Sequence, residues 1–291
     1  MKRKVSGKRI KDKLAPYLFI FPFFISYICF FLFPAAYSLV LSFYRYKGFG
    51  KATFVKFENY IQLFKYPTMW NSLKNTFIYF IFSYIIVMVL SFLLAVIVRS
   101  KPVSRYQNIY KPLIFLPQVC AVVASALVFK VIFGNRVGVI NQLFGISIPF
   151  LNNTNYMKIP VISLISWRNT GWYFIIFLSG LTTISDEILE AAKIDGTSPF
   201  QSVYYIIMPM MKPIFTMTSI TYVIGALKLY TEPNLLLSNN EAPIQVAPFI
   251  NIITSNINSG MFGKACAAGW ILTTIIILIT LLQMRLFKED Y

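Results

Sequence analysis

The sequence contains no histidine, only 10 acidic residues and only three cysteines, and 13% of its residues are charged. Without histidine the chain lacks the side chain that titrates near neutrality and the commonest metal ligand. Imidazole-based acid–base or metal chemistry is therefore excluded. Cys29, Cys120 and Cys266 each lie inside an apolar stretch. With no close spacing, they read as small hydrophobes and not as a zinc site or a disulfide framework. Soluble domains typically carry ~25% charged residues, twice this fraction, which argues against a soluble globule and against disorder. A phosphate-cradling G-x-x-x-x-G-K-[ST] loop is also missing. The nearest string, Gly260-Met-Phe-Gly-Lys-Ala265, is too short and follows no predicted strand.

What is present is apolar: 57% of the 291 residues are hydrophobic and 17% aromatic. The net charge of +17 is carried between long apolar runs. It reads as membrane-flanking charge and not as a nucleic-acid footprint. Six segments approach the ~20 apolar residues needed to cross a bilayer as helix: residues 14–43, 77–98, 113–133, 159–181, 214–237 and 265–286. The expected fold class is an all-α membrane protein with six transmembrane helices. Residues 1–13 are a basic tail and 14–291 a single transmembrane domain. Pro16, Pro22 and Pro34 predict a late entry or a kink in the first segment. A basic leader and Pro34-Ala35-Ala36 would suit a signal peptide, but the apolar run exceeds the ~7–15 residues of a signal core, so a retained span is expected.

Lys and Arg set the orientation. The leader holds Lys2, Arg3, Lys4, Lys8, Arg9, Lys11 and Lys13, and the short second connection holds Arg99, Lys101, Arg105 and Lys111. With six spans both fall on one side, which the positive-inside rule makes cytoplasmic, both termini included. Residues 44–76 carry six basic residues on the other side, diluted over a longer loop. Asn251, Asn256 and Asn258 fall in an outer loop, where an external protein or solvent would meet them.

The connection 182–213 is the most informative. Thr183 or Ser185 is placed to cap a helix whose first turn holds Asp186 and Glu187, where the helix dipole favours acids. Ile188, Leu189 and Ala192 share one side. Gly196 falls where a left-handed residue ends a helix. Ser198 and Pro199 then form a second N-cap and first turn, and Phe200, Val203, Tyr204 and Ile207 space as one apolar face. Pro209 and Pro213 are expected to end it. Ala191-Ala192 leave a small-residue surface for another backbone, with Glu190 beside it. An amphipathic loop lying on lipid headgroups is the alternative reading.

Glu190-Ala191-Ala192, Gly196, Ile206, Met208 and Pro209, at this spacing, resemble the EAA loop of ABC-importer permeases. Ile194-Asp195-Gly196 is similar to its carbohydrate-type, maltose-type branch. Phe57-Glu-Asn-Tyr60, Asn71-Ser-Leu-Lys-Asn-Thr76, Leu116-Pro117 and Gly138-Val-Ile-Asn141 agree in order. The resemblance implies that Glu190, Ala191, Ala192, Asp195, Gly196, Ile206 and Pro209 form coupling helices seated in a cytoplasmic ATPase dimer. That dimer would bind ATP and Mg, with no cofactor in this chain. It also implies a second homologous permease subunit, an extracytoplasmic solute-binding protein, and spans that rock between outward- and inward-facing states. Met208 stands where leucine is usual and Thr197 where alanine is common. Leu237-Ser-Asn-Asn-Glu-Ala-Pro243 replaces a Thr–Gly–Gly–Pro-like stretch, which loosens any inference about the solute. A sugar is expected, with a polyol or phosphate ester left open.

Within the fourth span, Trp167, Arg168, Asn169, Trp172 and Tyr173 are candidate substrate-pathway residues, with Glu232 in the fifth. Aromatic rings beside hydrogen-bonding groups suit a sugar, while a charge at such depth demands a cavity or a partner. Arg168–Glu232 is one pairing and Lys228–Glu232 the competing one. Gly263, Ala265, Ala267, Ala268 and Gly269 read as helix-packing positions. A membrane enzyme is disfavoured by the lack of a nucleophile, metal or acid–base constellation. An ion-coupled secondary transporter is disfavoured by the lack of inverted repeats and by a single buried carboxylate.

Overall fold

The computed structural model describes residues 6–135, 138–237 and 242–287. In chain order its elements are α1 (Ser6–Tyr27), α2 (Phe33–Leu41), β1 (Tyr44–Arg45), β2 (Thr53–Phe54), α3 (Glu58–Lys65), α4 (Pro67–Arg99), α5 (Lys101–Ser104), α6 (Gln107–Val119), α7 (Val122–Ile132), α8 (Val139–Phe144), α9 (Lys158–Leu181), α10 (Asp186–Ile194), α11 (Pro199–Ser202), α12 (Met208–Met210), α13 (Lys212–Leu227), α14 (Thr231–Leu237), α15 (Ile250–Asn258) and α16 (Phe262–Leu286). The only strands among the described residues form the two-residue antiparallel ribbon β1–β2.

Four stretches are long and apolar enough to cross a membrane: Pro16–Leu41, Pro67–Arg99, Lys158–Leu181 and Phe262–Leu286. Two further pairs qualify only when each is taken as one broken span: α6 with α7, bent by 93°, and Pro199–Met210 with α13, bent by 70°. The third expected span is therefore not straight, because Cys120 adopts extended backbone (φ −61°, ψ 136°) between its halves. The fifth does not run to residue 237 either. The helix stops at Leu227 and restarts at Thr231. Pro233 has no N–H and would crowd the carbonyl four residues back in a continuous helix, but it fits the first turn of α14.

The chain divides into two compact units, Met1–Lys65 with Ile253–Trp270, and Tyr66–Ile252 with Ile271–Tyr291. In the first unit none of residues 16–41 is buried. The stretch contains a wide π turn at Ile28–Leu32, ending two residues before Pro34. A π turn at Val203–Ile207 likewise ends two residues before Pro209. In each case a proline that lacks its N–H and clashes with the carbonyl of residue i−4 is accommodated by a longer hydrogen-bonded ring. Also in this unit, Asn59 donates to the carbonyls of Ser42 (2.8 Å) and Tyr44 (3.0 Å). A Cβ on Gly263 would collide with the Tyr44 carbonyl, and Ala265, Ala267 and Ala268 are buried, so the small residues here serve close packing.

The core of the second unit is α4 against α9, with α13 alongside. Helix α4 buries Ser72, Thr76, Tyr79, Ser83, Val87, Ser91 and Ala95, spaced three and four apart. Its Ile81, Phe82, Ile85, Val89, Leu90 and Leu93 point outward. This reverses the soluble pattern, as lipid requires: bulky apolar groups face the tails and small groups let helices approach. Val87, Phe92 and Ala95 pack with Phe174, Phe177 and Leu181 of α9 and with Met211 and Tyr222. The Gly171 backbone approaches α6 so closely that a Cβ there would lie 3.0 Å from the Phe115 Cα and collide with the Ile114 carbonyl.

Candidate functional site

Residues 182–213 form two short helices about a tight turn. Ser185 occupies the N-cap of α10 in extended conformation without a side-chain cap bond, and Asp186 and Glu187 fill the first turn. Gly196 sits at φ +79°. Gly196 N–H donates to Lys193 O (3.1 Å) and Thr197 N–H to Ala192 O (3.0 Å). Together these are the paired bonds of a Schellman stop, which favours glycine at the left-handed position. Thr197 Oγ1 also donates to Ala192 O at 2.6 Å, so this residue, unusual against the resembled pattern, doubly holds the turn. The next helix opens on a capping box. Ser198 Oγ accepts from Gln201 N–H at 3.3 Å, and Ser198 N–H donates to Gln201 Oε1 at 2.8 Å.

The loop presents most of the residues expected of it. Glu190, Ala191, Asp195, Gly196 and Pro209 are exposed and Ile206 is half-buried. Ala192 is buried, so Ala191 alone offers a small exposed surface. The expected single face splits in two. Val203 and Ile207 turn inward, while Phe200 and Tyr204 remain exposed and stack on each other, ring planes 7° apart. Pro209 does not end the helix; the π turn carries it on to Met210. Ile194 and Phe200, 86% and 78% exposed, bracket the turn. Sequence reasoning did not single out Ile194 as a contact, although an isoleucine at the last helical position before the glycine stop was the available signal. Behind the loop lies a cavity of about 390 Å³, with a floor that includes Val96, Leu181, Leu189 and Ile207 and a rim that includes Arg99, Asp186, Glu190 and Lys193.

A second site lies between α9, α13 and α14. Arg168 Nη1 donates to Glu232 Oε1 at 2.8 Å, and the two side chains are 12% and 15% exposed. The competing Lys228–Glu232 pairing does not form as a helical i, i+4 contact, because the helix has ended at Leu227. Beside the ion pair is a cavity of about 200 Å³ lined by Ile165, Asn169 and Tyr173 from α9, Tyr222, Gly225 and Ala226 from α13, and residues 228–232. The Tyr173 and Tyr222 ring centroids are 5.2 Å apart. Of the six candidate pathway residues, Asn169, Tyr173 and Glu232 line this cavity and Arg168 grips its wall. Trp167 and Trp172 do not join them. Helical geometry puts 165, 169 and 173 on one line and turns the tryptophans away. Trp167 packs on Phe129 and Trp172 on Phe115. The asparagines expected in an outer loop are also largely internal. Asn251 Nδ2 donates to Asn234 Oδ1 at 2.8 Å and Asn256 is buried, leaving only Asn258 exposed.

Apolar spans around a polar cavity, with an exposed helix–turn–helix between two of them, have the build of a membrane transport subunit. The chain belongs to the binding-protein-dependent transport system inner membrane component family, which it matches over residues 89–288. It is 29% identical over 97% of its length to the arabinooligosaccharides transport system permease protein AraP of Bacillus subtilis (strain 168), covering 92% of that protein. It is 30% identical over 94% of its length to the lactose transport system permease protein LacF of Rhizobium radiobacter, covering 94% of it. A solved bacterial alginate ABC transporter, in complex with alginate pentasaccharide-bound periplasmic protein, has a chain of the same fold. Its TM-score is 0.80 at 21% identity, covering 98% of this chain and 99% of that one. The protein is thus a multi-pass inner membrane permease of an ABC importer and not an enzyme.

Proposed function

We propose that this permease imports a sugar or oligosaccharide, forming half of the translocation pathway with a second homologous permease. The spans number six, two of them broken, with both termini cytoplasmic. The loop 182–213 is the EAA loop that docks on a cytoplasmic ATPase dimer, which binds ATP and Mg. An extracytoplasmic binding protein delivers the solute.

The observation that carries this reading is the Gly196 turn, which is closed by a Schellman stop on one side and a capping box on the other. Such a double lock makes the loop stiff enough to transmit force. It leaves Ile194 and Phe200 outward as apolar anchors beside Glu190. The names of the relatives support a saccharide. So does the cavity, with three tyrosines, an amide, a threonine, Lys228 and the neutralised Arg168–Glu232 pair. At about 200 Å³ it is smaller than the ~300–1,000 Å³ of drug-sized sites, which suits one sugar ring at a time.

The test is uptake by the complex reconstituted in proteoliposomes with its binding protein and ATP, with cross-linking from Ala191→Cys. Cross-links to the ATPase and saccharide uptake are expected. Cross-links to lipid alone would remove the docking assignment. Uptake of a non-saccharide solute in preference would remove the substrate class.

A further inference from the structure

Helix α4 grips two loops, one at each end. It has 33 residues, about 50 Å at 1.5 Å per residue, against a hydrocarbon layer of about 30 Å. The helix is therefore longer than the apolar layer is thick. At one end Asn75 Nδ2 donates to Gln245 O (2.9 Å) and Ala247 O (3.2 Å), Tyr79 Oη donates to Val246 O (2.8 Å), and Thr76 Oγ1 accepts from Phe249 N–H (2.8 Å). These bonds draw the irregular segment 242–249 into the core, where Val246 and Phe249 are fully buried.

At the other end stands Arg99. A basic residue in a last helical turn is ordinarily favoured by the helix dipole while its head stays in water. This one turns inward and is 17% exposed, whereas its partner Asp186 is 85% exposed. Its Nη2 donates to Ile184 O at 2.6 Å and to Asp186 Oδ1 at 3.1 Å. The guanidinium therefore clamps the residues on either side of Ser185, the N-cap of α10 whose own side chain makes no cap bond. Covalently, α10 follows α9 after four residues; Arg99 ties it to a second helix. Both bonds come from Nη2, whose two N–H groups are fixed in the guanidinium plane, while Nη1 is buried with no partner among the described residues.

We propose that Arg99 is a positioning residue for transport: it fastens the start of α10 to α4, so that displacement of the loop is carried by α4 to segment 242–249 at the opposite end. This rests on the reading of 182–213 as the ATPase-docking loop, and the test separates the two. The complete transporter, with its ATPase and binding protein, is reconstituted, and solute transported per ATP hydrolysed is measured beside copurification of the ATPase. In Arg99→Ala the ATPase copurifies and hydrolyses ATP, and transport per ATP falls by ~5-fold or more, the lower end of typical coupling between sites. Arg99→Asp combined with Asp186→Arg re-forms the pair and restores part of the ratio relative to Arg99→Asp alone. An unchanged ratio in Arg99→Ala, or loss of the ATPase itself, overturns the proposal. Should Arg99→Ala fail to accumulate, Asp186→Lys decides. It lies at an exposed position and sets two cations together, so a reduced ratio supports the tether and an unchanged one overturns it. Absence of Ala191→Cys cross-links in the otherwise unaltered transporter would instead sink the docking reading on which the tether depends.

Discussion

Arg168 and Glu232, separated by 64 positions in the sequence, meet at 2.8 Å in the interior of the second unit. Each is a charge that the interior tolerates only with the other present. The pair also explains why a broken fifth span is useful. The break at residues 228–230 brings Glu232 into the first turn of α14, where an acid is favoured by the helix N-terminus, and leaves room for a cavity alongside.

Truncating one partner should therefore be worse than replacing both. Arg168→Ala or Glu232→Ala leaves an uncompensated buried charge and is expected to cost about 3–5 kcal/mol, whereas Arg168→Met with Glu232→Leu should be close to neutral. Thermal unfolding of the purified protein in detergent checks this. If the cavity lies on the solute path, the double variant also accumulates normally but loses uptake.

Gly196 has open space around the position a Cβ would take, so substitution there meets backbone strain and not a clash. Gly196→Ala is expected to cost about 1–2 kcal/mol. Gly196→Pro should cost more, because it removes the N–H that bonds Lys193 O. Copurification of the ATPase should fall in the same order, with the permease still present in the membrane.

Gly171 is the opposite case. A side chain there meets the Ile114 carbonyl and the Phe115 Cα, which cannot yield as a flexible side chain would. Gly171→Ala should force α6 off α9, with a destabilisation of about 1–3 kcal/mol, and Gly171→Val should prevent accumulation. The measurement is the amount of monodisperse protein recovered from membranes.

Ile194→Asp and Phe200→Asp change exposed positions, so stability should shift by no more than ~0.5 kcal/mol. ATPase copurification should nonetheless be lost. Wild-type copurification by both variants would show that the apolar anchors lie elsewhere on the loop.

Much of this was legible in the chain itself, and the limits have physical causes. The Gly196 turn and the Ser198–Pro199 start could be read because their determinants are local: a left-handed residue, a cap and a ring-fixed φ. The Arg168–Glu232 pair was available by elimination, since few carboxylates exist to answer a buried arginine. The split between Val203 and Phe200 was not legible, because the π turn at Val203–Ile207 shifts the helical register and periodicity counting assumes a constant one. Nor did sequence reveal what the asparagines do. Asn141 donates to Asn135 O (2.8 Å) and Ile148 O (2.9 Å) and accepts from Ile148 N–H. Asn59 and Asn75 likewise hold backbone carbonyls. Their residue type announces polarity, but which distant backbone they stitch is decided by tertiary placement.

The stripe from Ser72 to Ala95 carries one further consequence. Along it Thr76 and Ser83 donate to carbonyls one turn back in their own helix, and Ser91 donates across to Thr170 O of α9 at 2.9 Å. What the neighbouring helix cannot absorb is volume. Tolerance to substitution should track bulk first, so that Ser91→Ala loses one hydrogen bond, about 1 kcal/mol, where Ser91→Leu jams the two rods apart. On the lipid side of the same rod the ranking inverts: size is free and a charge is ruinous.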